Sequence, residues 1–172
     1  MIHIQYYGSP VGEMLLGSYD GKLCLADWRY RKMRSTIDNR IQKALKAEYA
    51  EESSEVIERT IEELEEYFNG KRKTFDIPLH MVGTDFQKTV WHGLMQVPYG
   101  ATSSYLELAK FIGNAKAVRA VASANGANAI SIMIPCHRII GSNGDLAGYA
   151  GGLPAKKRLL ELESNLFSPN GL

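Results

Sequence analysis

Residues 103–138 read SSYLELAKFIGNAKAVRAVASANGANAISIMIPCHR, and this stretch decides the fold. Ser103 or Ser104 is placed to cap a short helix through Tyr105-Leu106-Glu107-Leu108-Ala109-Lys110-Phe111-Ile112, because its hydroxyl can accept from an unpaired first-turn amide. Gly113-Asn114-Ala115 follows as a turn, and a further helix runs from about Lys116 to Ala124. Helix, tight glycine turn and helix is the shape of a helix-turn-helix. The further helix surrounds one long basic residue, Arg119, with small side chains that let its backbone approach another surface closely. That surface is a neighbouring helix or a nucleic-acid groove, and the residues alone leave both open.

Working towards the C-terminus, Ile130-Ser131-Ile132-Met133-Ile134 is an apolar run of strand length. It delivers four chemically capable residues, Pro135-Cys136-His137-Arg138. A cationic or proton-accepting group beside a cysteine favours the thiolate, the nucleophilic form, so Cys136 is a candidate nucleophile. The bland alternative is a structural cysteine beside a solvent-facing histidine. Beyond it come Gly141-Ser142-Asn143-Gly144, then Gly148-Tyr149-Ala150-Gly151-Gly152, then a helix from about Pro154 to Ser164.

Towards the N-terminus, Thr84-Asp85-Phe86-Gln87 is a capping box for a helix carrying Phe86, Val90, Leu94 and Val97 on one side. Residues 71–83, with Pro78, form a connector and the expected domain boundary. Before it, Ser54 caps and Gly70 ends a helix whose apolar face is Ile57, Ile61, Leu64 and Phe68, leaving Glu62, Glu63, Glu65 and Glu66 as a solvated face. Ile37, Ile41 and Leu45 suggest a shorter helix. The chain opens as an antiparallel meander, Ile2–Tyr7, Glu13–Ser18 and Lys22–Trp28, with Asp20-Gly21 as a hairpin turn.

With 172 residues, 45% of them hydrophobic, the chain can bury one good core or two small ones. No stretch approaches a membrane span and the start lacks an export signal, which points to the cytoplasm, or the nucleus in a eukaryote. Two cysteines are too few for a secreted disulfide scaffold. Cys24, in an alternating strand, reads as a small core residue. His3, Cys24, His80 and His92 show no ligand spacing, so no metal is expected, and no cofactor motif is present. Residues 1–70 hold 9 Lys+Arg and 13 Asp+Glu, and residues 71–172 hold 11 and 6, so the second half is the better partner for a polyanion.

Pro135-Cys136-His137-Arg138, preceded by Asn128 and followed by Gly148-Tyr149-Ala150-Gly151-Gly152-Leu153, resembles the active-site region of the O6-alkylguanine-DNA alkyltransferases. Tyr105-x-x-Leu108-Ala109 and Lys116-Ala117-Val118-Arg119-Ala120-Val121 match that family's helix-turn-helix in order and spacing. The resemblance implies an α+β fold: a small N-terminal antiparallel sheet with helices, a ribonuclease H-like lobe over 1–80, and a mostly helical, winged-helix-like DNA-binding lobe over 84–172. It implies a monomer that flips O6-alkylguanine out of double-stranded DNA and transfers the alkyl group once to its own cysteine, with O4-alkylthymine as a further candidate substrate. By the same resemblance Cys136 is the acceptor, His137 its base and Glu163 the carboxylate linked to His137. Asn128 braces the reactive loop, and Tyr105 helps the departing guanine gain a proton. Arg119 enters the duplex, with further DNA contacts from Tyr105, Asn114, Ala120, Ser123 and Ser142. Tyr149, Ala150, Ile139 and Lys156 form the pocket.

The chain departs from the family at Ala129, where Pro is usual, at Ala150, where Ser is common, and at Arg158, where an aromatic residue is frequent. Three other readings compete. A damage-binding alkyltransferase-like protein would lack the acceptor cysteine. A transcription regulator would have no use for Pro-Cys-His-Arg, and a thiol hydrolase would leave the helix-turn-helix unexplained.

Overall fold

Asp20 and Gly21 both take positive φ, 51° and 75°, which closes a tight hairpin between β2 (Gly12–Tyr19) and β3 (Lys22–Trp28). With β1 (Ile2–Ser9) these strands form the expected antiparallel meander. The computed structural model describes residues 1–141 and 143–164. A short fourth strand, β4 (Tyr49–Glu51), lies parallel to β1 and completes the order β3-β2-β1-β4. Three residues are too few to show a period, so β4 left no readable pattern in the sequence.

Two helices cover this sheet. α1 (Arg34–Leu45) buries Ile37 and Ile41 against Ile2, Ile4, Leu15 and Leu25. α2 (Glu55–Phe68) is capped by Ser54, whose hydroxyl accepts from the Ile57 amide at 3.2 Å, and Gly70 beyond it takes φ 74°. Its buried face is Val56, Ile57, Thr60, Glu63, Leu64 and Tyr67, rotated from the expected one, with Ile61 and Phe68 half-buried. Glu63 is therefore not part of a solvated acidic face. It is buried, accepts from the Asp76 amide at 2.8 Å and lies 3.5 Å from Arg72.

In the second half the capping box at Thr84 and Gln87 is formed, and α3 (Asp85–Leu94) turns Val90, Trp91 and Leu94 inward. Ser104, not Ser103, caps α4 (Tyr105–Phe111). Ser103 instead pairs through its backbone with Arg138 and Ile140, tying the start of α4 to the segment after Cys136. α5 spans Val118–Gly126, two residues later at each end than expected, and α6 spans Leu153–Glu163.

The run Ile130–Ile134 is not a strand. Its ends close on each other, with the Ile134 amide donating to the Ile130 carbonyl at 3.0 Å, and Ile132 takes φ 74°. A β-branched residue there is strained, so the surroundings must impose the turn. Apolar character signalled burial correctly, but burial on all sides suits a packed turn as well as a strand.

The open edge of β3 explains how the halves join. Near its start the Leu23 amide donates to Pro78 O (2.9 Å), and Leu23 O accepts from the His80 amide (2.8 Å). Further along, the Ala26 amide donates to Ala129 O (2.8 Å), and Ala26 O accepts from the Ser131 amide (2.6 Å). Connector and reactive segment thus share one strand edge and leave it no free ladder there. One core runs through both halves, from Met14, Leu16 and Leu64 to Trp91, Leu108, Val121 and Leu159.

Asp27 fastens the same junction. Fully buried, it pairs with Arg31 and Arg34, each at 3.1 Å, while Arg31 also donates to Gly126 O (2.7 Å) at the end of α5 and to Asn128 O (3.4 Å). Removing one member strands buried charge, so Asp27→Ala is expected to cost about 3–5 kcal/mol in urea unfolding. A loss below about 1 kcal/mol, the range of surface pairs, would show that this network does not hold the halves together.

Candidate functional site

Cys136 opens a single 3-10 turn, Cys136–Arg138, directly after the Ile130–Ile134 turn. Asn128, just past α5, braces that geometry. Its Nδ2 donates to Ile134 O (2.9 Å) and lies 3.2 Å from Cys136 Sγ, while its Oδ1 accepts from the Ile130 amide (3.0 Å). One side chain therefore clamps both ends of the turn and places a donor on the sulfur.

The next two residues meet α6. His137 Nε2 lies 2.7 Å from Glu163 Oε2, and Arg138 grips the same carboxylate through Nε (2.8 Å to Oε1) and Nη2 (3.0 Å to Oε2). Arg138 Nη1 donates to Val97 O at 2.8 Å. A fourth donor comes from α2, the Tyr67 hydroxyl at 2.6 Å from Oε2. The carboxylate is 1% exposed and His137 is fully buried. With Nε2–H donated to Glu163, neutral His137 keeps its lone pair on Nδ1, which has no hydrogen-bond partner among the described residues.

The electrostatics follow from burial. Burial works to raise the Glu163 carboxyl, but hydrogen bonds and charge from His137 and Arg138 win and hold it at about 2. Burial pushes His137 down against the opposing pull of Glu163, so it rests neutral and able to accept a proton. Burial likewise pushes the Cys136 thiol up, with Asn128, Arg31 and Lys156 acting against it. Arg138, the cation next in sequence, is committed to Glu163, and His137 is neutral, so neither offsets the burial of the thiol.

The glycine-rich segment packs beside this group. Tyr149 lies edge-on to Trp28 of β3, with ring centroids 5.9 Å apart, and 6.5 Å from the His137 ring. Gly151 lies against the same indole, where a Cβ would come within 2.7 Å of the ring, so only glycine fits. Lys156 is fully buried and donates to the carbonyls of Ile139 and Gly148 (3.3 Å), which joins the two sides of the expected pocket. A cleft of about 590 Å³ is lined by Trp28, Tyr30, Met33, Tyr149, Ala150 and Gly151.

The expected site residues separate into two sets. Cys136, His137, Glu163, Asn128, Tyr149, Ile139 and Lys156 come together, and the half-buried Tyr105, whose hydroxyl burial pushes up against the pull of Asn125, is close enough to feel Cys136 as well. Arg119, Ala120 and Ser123 share an exposed face of α5, and Asn114 is exposed in the turn before it. Ser142 lies outside the described residues. Sequence reasoning missed Tyr67, Trp28 and Arg31, all from the first half. Only Tyr67 left a trace, as a tyrosine one residue off an expected apolar face.

Family models match both halves of the chain. The model described as 6-O-methylguanine DNA methyltransferase, DNA binding domain, matches residues 85–165, and the one described as its ribonuclease-like domain matches residues 2–81. A methylated-DNA–protein-cysteine methyltransferase of Methanosarcina acetivorans is 42% identical over 160 residues, covering 92% of this chain and 96% of the relative. One from Mycobacterium tuberculosis is 38% identical over 165 residues, covering 96% and 94%. The crystal structure of the M. tuberculosis O6-methylguanine methyltransferase superposes with a TM-score of 0.82 at 36% identity, covering 99% of this chain and 96% of that one. The M. tuberculosis OGT in complex with DNA superposes with the same score and covers 98% and 96%.

The raised thiols carry a direct expectation. At pH 7 iodoacetamide should label Cys136, and Cys24, whose thiol burial pushes to about 12, at least ~10-fold more slowly in the folded protein than in urea, since the thiolate is the reactive form. Equal rates at Cys136 would mean that the sulfur rests exposed or ionised.

Proposed function

The chain belongs to the 6-O-methylguanine DNA methyltransferase family, and from that membership we propose that it repairs DNA by moving the alkyl group of O6-alkylguanine onto Cys136. The observation that carries this reading is the pairing of two arrangements on consecutive residues. Asn128 aims a donor at the Cys136 sulfur, and Glu163 pins one nitrogen of His137 and leaves the other free to take a proton.

The chemistry balances without a cofactor. The Cys136 proton passes towards His137 Nδ1, and the imidazolium that results is stabilised by Glu163. Sulfur forms a bond to the alkyl carbon while the carbon–O6 bond breaks, and its electron pair leaves on guanine, which gains a proton with help from Tyr105. Asn128, Arg31 and Lys156, the groups that work against the raised thiol, favour the thiolate as it forms. The product thioether has no good leaving group, so each molecule acts once. O4-alkylthymine presents the same bond to the same sulfur and is the second candidate substrate.

Cys136 is only 4% exposed, so a base stacked in a duplex cannot reach it. The nucleotide must be rotated out and seated between the Tyr149–Ala150 segment and the Ile139 carbonyl. α5 faces the duplex, with Arg119 filling the gap in the stack. Lys116 and Arg119 are the only charged residues between Lys110 and Arg138, and the small residues around them cannot read base edges bidentately. Binding rests on backbone approach and a few phosphates, through the minor groove, with Asn114, Ala120, Ser123 and Ser142 as contacts. The lobes divide at the connector, 1–80 and 84–172. Among the described residues no helix is long and apolar enough to cross a membrane. A monomer in the cytoplasm, or the nucleus of a eukaryote, fits this role.

Intact mass spectrometry after mixing with an O6-methylguanine duplex tests the proposal. A gain of about 14 Da on the peptide containing Cys136 is expected, since only covalent transfer leaves that mark. Cys136→Ser should abolish the gain and keep duplex binding, and a gain on any other residue would overturn the assignment. Arg119→Ala should slow repair in duplex at least ~10-fold more than attack on free O6-alkylguanine base, which needs no extrusion. Equal loss on both substrates would remove Arg119 from the flipping step.

A further inference from the structure

Glu163 receives more than a histidine and an arginine. Oε1 accepts from Arg138 Nε, while Oε2 accepts from His137 Nε2, Arg138 Nη2 and, at 2.6 Å, the Tyr67 hydroxyl. Tyr67 stands on α2 in the first half of the chain, 96 residues away from the carboxylate it touches. It is fully buried and wedged between Phe68, Phe75 and Tyr99, with ring centroids 5.2, 5.5 and 6.3 Å away. Packing supplies the ring with all it needs, so a phenylalanine would serve unless the hydroxyl has a task.

We propose that Tyr67 is a positioning residue for proton transfer, its hydroxyl setting how strongly Glu163 holds the proton of His137. This rests on the reading of Cys136 and His137 as acceptor and base. Tyr67 keeps its own proton, since burial and the neighbouring carboxylate both push its hydroxyl well above the ordinary value, and it therefore acts as a donor. A donor on Oε2 draws electron density away from the oxygen that faces His137 Nε2–H. The carboxylate then fixes the tautomer and orients the ring without binding the imidazolium so tightly that the base is protonated before it is used.

Few other groups could set that balance. Among the described residues the charged and titratable neighbours of His137 are Glu163 and Lys156 on α6, Arg138 and Cys136 beside it in sequence, and Tyr149 from the glycine-rich segment. Arg138 and Lys156 lower its affinity for a proton and Glu163 raises it. Tyr67 acts through Glu163 alone, and it is the member of this network contributed by the first half.

Two variants with opposite signs test the proposal. Tyr67→Phe removes a donor from Oε2, makes Glu163 more basic, and should raise the pH at which His137 protonates by about half a unit or more. Transfer is lost as pH falls through that value, so the acid limb of the single-turnover rate profile should move upward by the same amount. Replacing Tyr67 with 3,5-difluorotyrosine, a stronger donor, should move both downward. His137 is titrated by 15N NMR without substrate, so its shifts judge Tyr67 even if the wild type fails to transfer methyl to Cys136, which would overturn the functional reading instead. Unmoved His137 titrations in both variants, or equal shifts from Phe75→Leu, which loosens the packing and keeps the hydroxyl, would overturn the role of Tyr67.

Discussion

A single carboxylate, Glu163, is the point on which the rest of the site depends. Burying a charge of that kind is costly, and it is tolerated only where the lone pairs are met by donors of good geometry. Here four donor atoms from three residues meet them, and His137 and Arg138 hold the carboxyl at about 2 against burial. The three residues belong to different parts of the fold, α2 and the two positions after the reactive cysteine, while Arg138 also reaches Val97 beyond α3. Anchoring the last helix and orienting His137 are thus the same act.

The sulfur obeys the opposite logic. Its environment leaves the thiol neutral in the resting state, although Asn128, Arg31 and Lys156 all act towards the anion. For a nucleophile used once and not regenerated, as proposed for Cys136, resting as a buried thiol has a chemical advantage. The thiolate is the form that oxidants and stray electrophiles attack, and exposure decides how often they arrive. In the proposed reaction, proton removal coupled to a seated substrate confines the reactive form to the moment when the correct carbon is in place.

Legibility in the sequence followed from locality. Elements with a full local signature were readable: the Asp20-Gly21 hairpin, the capping box at Thr84, the helix closed by Ser54 and Gly70. The motif Cys136-His137-Arg138 was visible too, because its residues are adjacent. What was lost depended on contacts distant in the chain. Glu63 looked like one of four equivalent surface acids until Asp76 and Arg72 folded over it. The Ile130–Ile134 run shows only that five residues are apolar, and the turn at Ile132 is imposed by Asn128 and the edge of β3. Adjacency to Cys136 likewise says nothing of whose charge Arg138 offsets, and only the fold shows that it pairs with Glu163. Arg158, a departure from the family pattern, binds Pro10 O at 2.5 Å in the N-terminal turn, which no pattern around position 158 could reveal.

These long-range contacts give the first half of the chain a place in the chemistry. Every motif that suggested function lies between Thr84 and Glu163, yet three supports of the site come from before residue 70. Trp28 backs Tyr149 and Gly151, Arg31 reaches the carbonyls of Gly126 and Asn128, and Tyr67 reaches Glu163. Each supports a different part of the candidate site: the glycine-rich segment, the turn at Asn128 and the carboxylate beside His137. All three are held where β3 meets the reactive segment or where α2 packs against the common core. Separated from the first half, the residues between Thr84 and Glu163 would keep every recognisable motif and lose a donor on the buried carboxylate, the aromatic backing of the glycine segment and the strand edge that pins Ala129 and Ser131. The site is therefore a property of the junction between the halves, although its reactive atoms all belong to one of them.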